Sequence, residues 1–229
     1  MDVFLIRHGE SFNNALEDIA DRVPDPPLTD RGVRQAERLA AHVAAGGHLY
    51  SSQRGNGRPL LDELYCSPMI RAMQTAQPIG KALDLSPNVW IDIHEVGGLF
   101  LDHGDDGVQG FPGKTRQQIA EEFEGFTADS IADDGWWRGT REAEQEGRGR
   151  AIGVAATLAS RAAEEVRIGL VSHGDFISGL LKAMANHLPS RGVWYEHDNT
   201  AITHMNLADG RLVVKYMNRT AHLTEDLLS

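Results

Sequence analysis

Two segments of the chain end in the same way, with an apolar run followed directly by a histidine and a glycine. The first is FLIRHG at residues 4–9, and the second is GLVSHG at residues 169–174. Each apolar run is typical of a short buried strand, and the glycine predicts a loop directly after it. Ligands of open α/β sheets bind beyond the carboxyl ends of the strands. If these two strands are neighbours, we expect His8 and His173 to face one pocket.

The rest of the chain alternates between strand-like and helix-like segments. This alternation predicts an α/β fold with a mostly parallel central sheet and helices on both faces. We expect a single domain over residues 1–229, with an inserted cap region near 96–140 where the pattern is irregular. The predicted strands cover residues 3–6, 61–66, 89–93 and 166–172, with a hairpin at 201–207 and 212–216. The predicted helices lie within residues 29–45, 69–83, 115–124, 151–162 and 177–188.

The charge and the cysteine content exclude several classes of protein. Lys and Arg number 22 against 33 Asp and Glu, which gives a net charge of −11 and argues against binding to nucleic acid or anionic membrane. No segment approaches the roughly twenty apolar residues of a membrane helix, and the run at residues 3–6 is too short for a signal peptide. The single cysteine, Cys66, indicates a reducing compartment. We therefore expect a soluble, cytoplasmic protein whose oligomeric state stays open, with a dimer among the alternatives.

Five residues just beyond the predicted strand ends have side chains suited to phosphoryl chemistry. Arginine grips phosphate oxygens with two parallel hydrogen bonds, and a neutral imidazole can attack phosphorus. A second imidazole can stabilise the developing charge, and a carboxylic acid can protonate the leaving oxygen. Each residue alone would be an ordinary surface or salt-bridged side chain, but the set as a whole favours phosphate as the ligand. The five candidates are Arg7, His8, Arg71, Glu95 and His173.

Several motifs in their order along the chain resemble the histidine phosphatase superfamily, the phosphoglycerate mutase-like proteins. LIRHGES at residues 5–11, with Asn14, resembles the signature of that family. The later matches are LTDRG at 28–32, YCSP at 65–68 with Arg71, His94-Glu95, VSHG at 171–174 and NTA at 199–201. A single match of this kind is weak, whereas six in the correct order identify the family.

The resemblance implies a role for each matched residue. His8 would be the phosphorylated nucleophile, and Glu95 would donate a proton to the leaving group and then activate water. The phosphoryl group would be held by Arg7, Arg71, His173, the backbone N–H of Gly174 and Asn14. The resemblance implies a phosphoric monoester hydrolase of the histidine acid phosphatase type, acting on a small phosphorylated substrate without metal or organic cofactor.

The residues after Glu95 favour hydrolysis over phosphoryl transfer. The cofactor-dependent mutases resemble one another in an arginine and a tyrosine after the acid, whereas this chain has Val96, Gly97 and Gly98. A mutase or sugar bisphosphatase of the same fold stays an alternative. A phosphate- or phosphoprotein-binding module with weak catalysis is an alternative of another class.

Three further residues are candidates for substrate binding. Ser11 lies in the first motif, and Lys114 and Arg116 lie at a helix start in the predicted cap. The two basic residues would contact a second anionic group of the substrate, although solvated charges at a helix start are the competing interpretation. The Trp136-Trp137 pair is interpreted as the core of the cap, and Cys66 as a buried strand residue.

Overall fold

A six-stranded sheet forms the centre of the structure, a computed structural model that describes residues 1–55, 57–190 and 192–229. The strands in chain order are β1 (Asp2–Arg7), β2 (Glu63–Cys66), β3 (Asn88–Val89), β4 (Phe100–Asp102), β5 (Val108–Gly110), β6 (Arg167–Ser172), β7 (Ile202–Ala208) and β8 (Arg211–Arg219). The sheet order is β3-β2-β6-β1-β7-β8. The first four strands in that order run parallel, whereas β7 pairs antiparallel with β1 on one side and with β8 on the other. Strands β4 and β5 form a separate hairpin.

Helices cover both faces of this sheet. The helices in chain order are α1 (Asp30–Ala44), α2 (Ile70–Leu83), α3 (Arg116–Glu122), α4 (Glu144–Ser160) and α5 (Gly174–Met184). Side chains of α1 and α2 pack in one hydrophobic core, and those of α4 and α5 pack in the other. The predicted fold class, a mostly parallel α/β sheet with helices on both faces, is therefore confirmed.

Strand β1 shows why residues 3–6 of the chain are all apolar. Phe4 and Ile6 are buried in the core beneath α1 and α2, while Val3 and Leu5 are buried in the core beneath α4 and α5. Alternate side chains of a strand point to opposite faces, so a strand covered on both sides is apolar throughout. The strand ends at Arg7, directly before His8 and Gly9.

The prediction of a third strand over residues 89–93 is wrong for most of that range. Strand β3 covers only Asn88–Val89, and Ile91–Ile93 forms a turn of 3-10 helix. The backbone N–H of Trp90 still donates to the carbonyl of Cys66, but the N–H groups of Ile93 and His94 donate to the carbonyls of Trp90 and Ile91 within the turn. The local turn replaces the ladder and places Glu95 beyond the sheet edge.

Helix α5 ends earlier than the apolar spacing predicts. Asn186 has a φ of 54°, in the left-handed region that commonly follows the last turn of a helix. The N–H of His187 donates to the carbonyl of Lys182, which closes the end of the helix. Leu188, predicted as part of the apolar helix face, is 82% exposed.

The irregular stretch near 96–140 contains β4, β5 and α3 and packs against the core beneath α1 and α2. Leu99, Ile119, Ile131 and Trp136 are buried there, and Trp137 is packed against them. A large aromatic side chain buries more apolar area than any other, so the tryptophan pair serves this stretch as core. Among the described residues, no helix combines the length and the apolar character needed to cross a membrane.

Candidate active site

The two histidines that follow β1 and β6 lie side by side. The strands are parallel neighbours, with Arg7 opposite Ser172, so both chains leave the sheet at the same edge. The ring centroids of His8 and His173 are 5.0 Å apart, and both side chains are buried. The backbone register of the sheet therefore brings together two residues that are far apart in sequence.

Hydrogen bonds fix which nitrogen of His8 carries the proton. Nδ1 lies 2.6 Å from the carbonyl oxygen of Gly9, which can only accept, so Nδ1 is the protonated nitrogen. Nε2 accepts a hydrogen bond from Nε of Arg71 at 3.1 Å. Burial, and then the charges of Arg71 and Arg7, hold the pKa of His8 well below its usual value. The ring is therefore neutral at pH 7, with a lone pair on Nε2.

The backbone around His8 is anchored by polar side chains from two other elements. The His8 carbonyl accepts hydrogen bonds from Nδ2 of Asn199 at 2.9 Å and from the N–H of Thr200 at 3.2 Å. The Thr75 hydroxyl accepts from the N–H of Gly9 and donates to the carbonyl of Arg71. Thr75 thus joins the loop that begins at His8 to helix α2, a contact that sequence reasoning did not predict.

Two buried nitrogen atoms beside His8 have no hydrogen-bond partner within the described part of the chain. They are Nε of Arg7 and Nδ1 of His173. The other side of each group is occupied: Nη1 of Arg7 donates to the carbonyl of His197, and Nε2 of His173 bonds the Ser67 hydroxyl at 2.7 Å. Gly174 lies beside the unpartnered nitrogen of Arg7, because a Cβ placed on this glycine would be 3.6 Å from Nε. Buried donors without partners are costly, which fits a site prepared for an anion.

Glu95 is held at the start of helix α5. Its Oε1 accepts hydrogen bonds from the N–H of Val96 at 2.9 Å and from the N–H of Phe176 at 3.0 Å. Burial raises the pKa of this carboxyl, against the lowering effect of the Arg71 charge, and Asp175 raises it further. A raised pKa suits a carboxyl that has to donate a proton near neutral pH.

Asp25 is a site residue that sequence reasoning missed. Its Oδ1 accepts a hydrogen bond from the N–H of Ile70 at 3.1 Å and lies 3.9 Å from Nη1 of Arg71. Burial raises the pKa of Asp25 to about 6, against the charge of Arg71. The guanidinium is therefore held between His8 and Asp25. No period or motif considered in the sequence marks Asp25, because it lies in a proline-rich loop.

The remaining candidates have their hydrogen bonds elsewhere. Oδ1 of Asn14 accepts from the N–H and the hydroxyl of Ser11, so these two residues bind each other. Nζ of Lys114 lies 2.6 Å from Glu122, and Nε of Arg116 donates to the carbonyl of Ile131. Within the described ranges, no group of three or more His, Cys, Asp or Glu side chains is arranged to hold a metal ion.

A family model described as the histidine phosphatase superfamily, branch 1, matches residues 3–220. A curated protein of Mycobacterium tuberculosis, PE-PGRS family protein PE_PGRS11, is 34% identical over 98 residues. That match covers 42% of this chain and 15% of the relative, so the chain corresponds to a small part of that protein's length.

Solved structures share the fold over almost the whole chain. A mutant phosphoserine phosphatase from Entamoeba histolytica, solved with phosphoserine, is 23% identical with a TM-score of 0.61, and the match covers 97% of this chain and 99% of that one. A mycobacterial glucosyl-3-phosphoglycerate phosphatase is 18% identical with a TM-score of 0.56, covering 95% and 98%. At these identities the likeness shows a shared fold.

Proposed function

The chain belongs to the histidine phosphatase superfamily, and we propose that it hydrolyses a small phosphomonoester through a phosphohistidine formed on His8. One observation carries the proposal. The proton-free Nε2 of His8 faces the guanidinium of Arg71, and the ring of His173 lies alongside. A nucleophilic nitrogen surrounded by donors is the arrangement that phosphoryl transfer needs.

In the first step, Nε2 of His8 attacks phosphorus as the bond between phosphorus and the leaving oxygen breaks. The protonated carboxyl of Glu95 gives its proton to that oxygen, and an alcohol departs. Arg7, Arg71 and His173 hold the three other phosphoryl oxygens, on which charge develops. The Arg71 Nε hydrogen bond to His8 has to be exchanged for one to the substrate.

In the second step, water displaces the histidine. The ionised carboxylate of Glu95 takes a proton from the water molecule. At the same time the oxygen of that water forms a bond to phosphorus, and the bond between phosphorus and Nε2 of His8 breaks. Inorganic phosphate leaves, Nε2 of His8 recovers its lone pair, and Glu95 is protonated again. Two guanidinium groups and one imidazole supply donors for a phosphoryl dianion, so neither step as written uses a metal ion.

Hydrolysis is favoured over transfer to a second substrate by the residues that follow the acid. Val96, Gly97 and Gly98 offer no charged or phenolic side chain to hold a small phosphorylated acid. A mutase also has to exclude water from the phosphohistidine, which requires more contacts to the acceptor. We therefore place phosphatase activity first and transferase activity second.

The test measures hydrolysis of p-nitrophenyl phosphate in excess chelator by wild type, His8→Ala and His103→Ala. His103 is an exposed histidine of the stretch near 96–140 and serves as the matched control. We expect turnover in wild type and in the control, and a fall of about 10⁴-fold or more in His8→Ala. If the wild-type reaction is stopped during turnover, phosphate should be found covalently bound to the protein. This bond should be stable to base and labile to acid.

Four results would contradict the proposal. Activity that survives His8→Ala would show that His8 is not the nucleophile. Activity that is lost in the presence of the chelator would show that hydrolysis requires a metal ion. Phosphoryl transfer between phosphoglycerates that exceeds hydrolysis would make the protein a mutase. Phosphate binding without turnover of any monoester would favour the binding module.

A further inference from the structure

We propose that the buried ion pair of Glu142 and Arg150 is a positioning device for Glu95, and so controls protonation of the leaving group. The inference rests on the proposed function, because it takes Glu95 as the acid. Neither residue belongs to a motif that the sequence singled out, and neither contacts the phosphate-binding arginines in the contacts described above. The geometric effect of the pair on the reaction would pass through the carboxyl of Glu95, whereas the charge of Arg150 also lowers the pKa of His173.

The pair has the geometry of a strong, rigid contact. Nε and Nη2 of Arg150 donate to the two carboxylate oxygens of Glu142 at 2.9 and 2.6 Å. The two side chains are 10% and 7% exposed. Burial alone would raise the pKa of Glu142, but His94 and Arg150 lower it to about 2, so the carboxylate stays ionised. A bidentate pair of this kind fixes orientation as well as distance.

The pair grips the backbone on both sides of Glu95. Nη1 of Arg150 donates to the carbonyls of Asp92 at 2.7 Å and of His94 at 2.8 Å. On the other side, Oε2 of Glu142 accepts from the N–H of Gly97 at 3.2 Å, and the N–H of Glu142 donates to the Gly97 carbonyl. The loop that carries Glu95 is therefore tied down one residue before it and two residues after it.

The same guanidinium also contacts the helix that binds the Glu95 carboxyl. Cζ of Arg150 lies 4.8 Å from the centre of the Phe176 ring, in a cation–π contact. The N–H of Phe176 is one of the donors to Oε1 of Glu95. Arg150 thus touches both the loop in which Glu95 lies and the residue that orients its carboxyl. Displacement by about 1 Å in such an arrangement can cost about 10²-fold in rate.

The test uses leaving groups that differ in their need for a proton. An alkyl phosphate requires protonation of the departing alkoxide, whereas p-nitrophenolate departs well without it. The variants are Arg150→Lys, which keeps the positive charge near His173 but loses the fork, and Glu142→Gln, which keeps the shape but loses the charge. The readout is kcat/KM for β-glycerophosphate and for p-nitrophenyl phosphate, since kcat/KM reports the first phosphoryl transfer.

We expect each variant to lower kcat/KM for β-glycerophosphate by about 10- to 100-fold and for p-nitrophenyl phosphate by less than about threefold. The ratio of the two values does not depend on the fraction of folded enzyme, so a partly unfolded variant still tests the inference. The matched control is Arg138→Lys, which alters an exposed ion pair with Asp134 and should leave the ratio unchanged.

A second measurement separates positioning from a general structural role. In a Glu95→Gln background the acid is already lost, so adding Arg150→Lys should leave the ratio of the two kcat/KM values where Glu95→Gln put it. The inference would be overturned if the variants lowered kcat/KM equally for both substrates. It would also be overturned if Arg150→Lys changed the ratio of the two kcat/KM values further in the Glu95→Gln background. Survival of activity in His8→Ala would instead overturn the proposed function, so the two failures are distinguishable.

Discussion

The two halves of the candidate site are held in place by different means. His8 and His173 each follow the last residue of a long strand, and the parallel ladder between β1 and β6 fixes their spacing. Glu95 follows a strand of two residues and a 3-10 turn, and its surroundings are tied by the side chains of Glu142 and Arg150. The spacing of the two histidines depends mainly on backbone pairing, with side-chain anchors only in the loop after β1, whereas the position of Glu95 depends on side-chain contacts across loops.

This difference indicates which part of the site tolerates change. A backbone ladder involves many peptide groups, so substitution of one side chain hardly moves a residue that follows it. A side-chain contact holds its target only while both partners are present. We therefore expect losses in the strand-end half to come from missing chemistry, and losses in the Glu95 half to come from displacement.

Among substitutions that leave His8 in place, the largest effect is expected for Arg71, which contacts Nε2 of His8 and lies beside Asp25. Arg71→Ala should lower kcat/KM for p-nitrophenyl phosphate by about 10³-fold, because one donor to the transferring phosphoryl group is lost. Steady-state kinetics measure this, and Arg34→Ala at an exposed position of α1 is the matched control. A loss below tenfold would mean that Arg71 does not hold the phosphoryl group. It would then contradict our expectation that substitutions around His8 act by removing chemistry.

A pH-dependent effect on stability is expected from Asp25. The folded pKa of about 6 lies above the usual 3.8, so the folded chain keeps a proton that the unfolded chain releases. The free energy of unfolding therefore falls as pH rises from about 4 to about 6. Asp25→Asn cannot ionise and keeps an acceptor for Ile70, so at pH 7.5 it should be more stable than wild type by up to about 3 kcal/mol.

Urea unfolding at pH 4, 5, 6 and 7.5 measures this difference between Asp25→Asn and wild type. The advantage of the variant should disappear near pH 4, where Asp25 of the folded wild type is protonated. Asp133→Asn, at an exposed position, is the control and should show no such trend. A difference that grows as pH falls would mean that Asp25 is stabilised as the anion by Arg71, and that burial is the smaller influence.

The smallest effect is expected for Lys114. Its ammonium group is paired with Glu122, whose side chain is half exposed, and such pairs contribute about 0–1 kcal/mol. Lys114→Ala should therefore change the free energy of unfolding by no more than about 1 kcal/mol. Its kcat/KM for p-nitrophenyl phosphate should stay close to wild type. A selective loss with a bisphosphate substrate would instead support the predicted contact of Lys114 with a second anionic group.

The sequence predicted the elements whose signals are local. The apolar runs before His8 and His173 gave β1 and β6 almost to the residue, because each is buried on both faces. The signal failed where an apolar segment serves another purpose. Ile91 and Ile93 pack against the cores from a turn of 3-10 helix, and Leu188 lies past a helix end set by the left-handed Asn186.

The sequence by itself determined which residues end the two central strands and which of them have side chains suited to binding phosphate. A continuous apolar run and the glycine that follows it are properties of a few consecutive residues, so they can be identified without knowledge of the fold. Only the tertiary structure decided what surrounds Glu95 and Arg71. Arg150 reaches a carbonyl 56 residues away, and Asp25 lies against a helix that starts 45 residues later. Such contacts leave no period in the sequence, because they depend on how the loops close over the finished sheet.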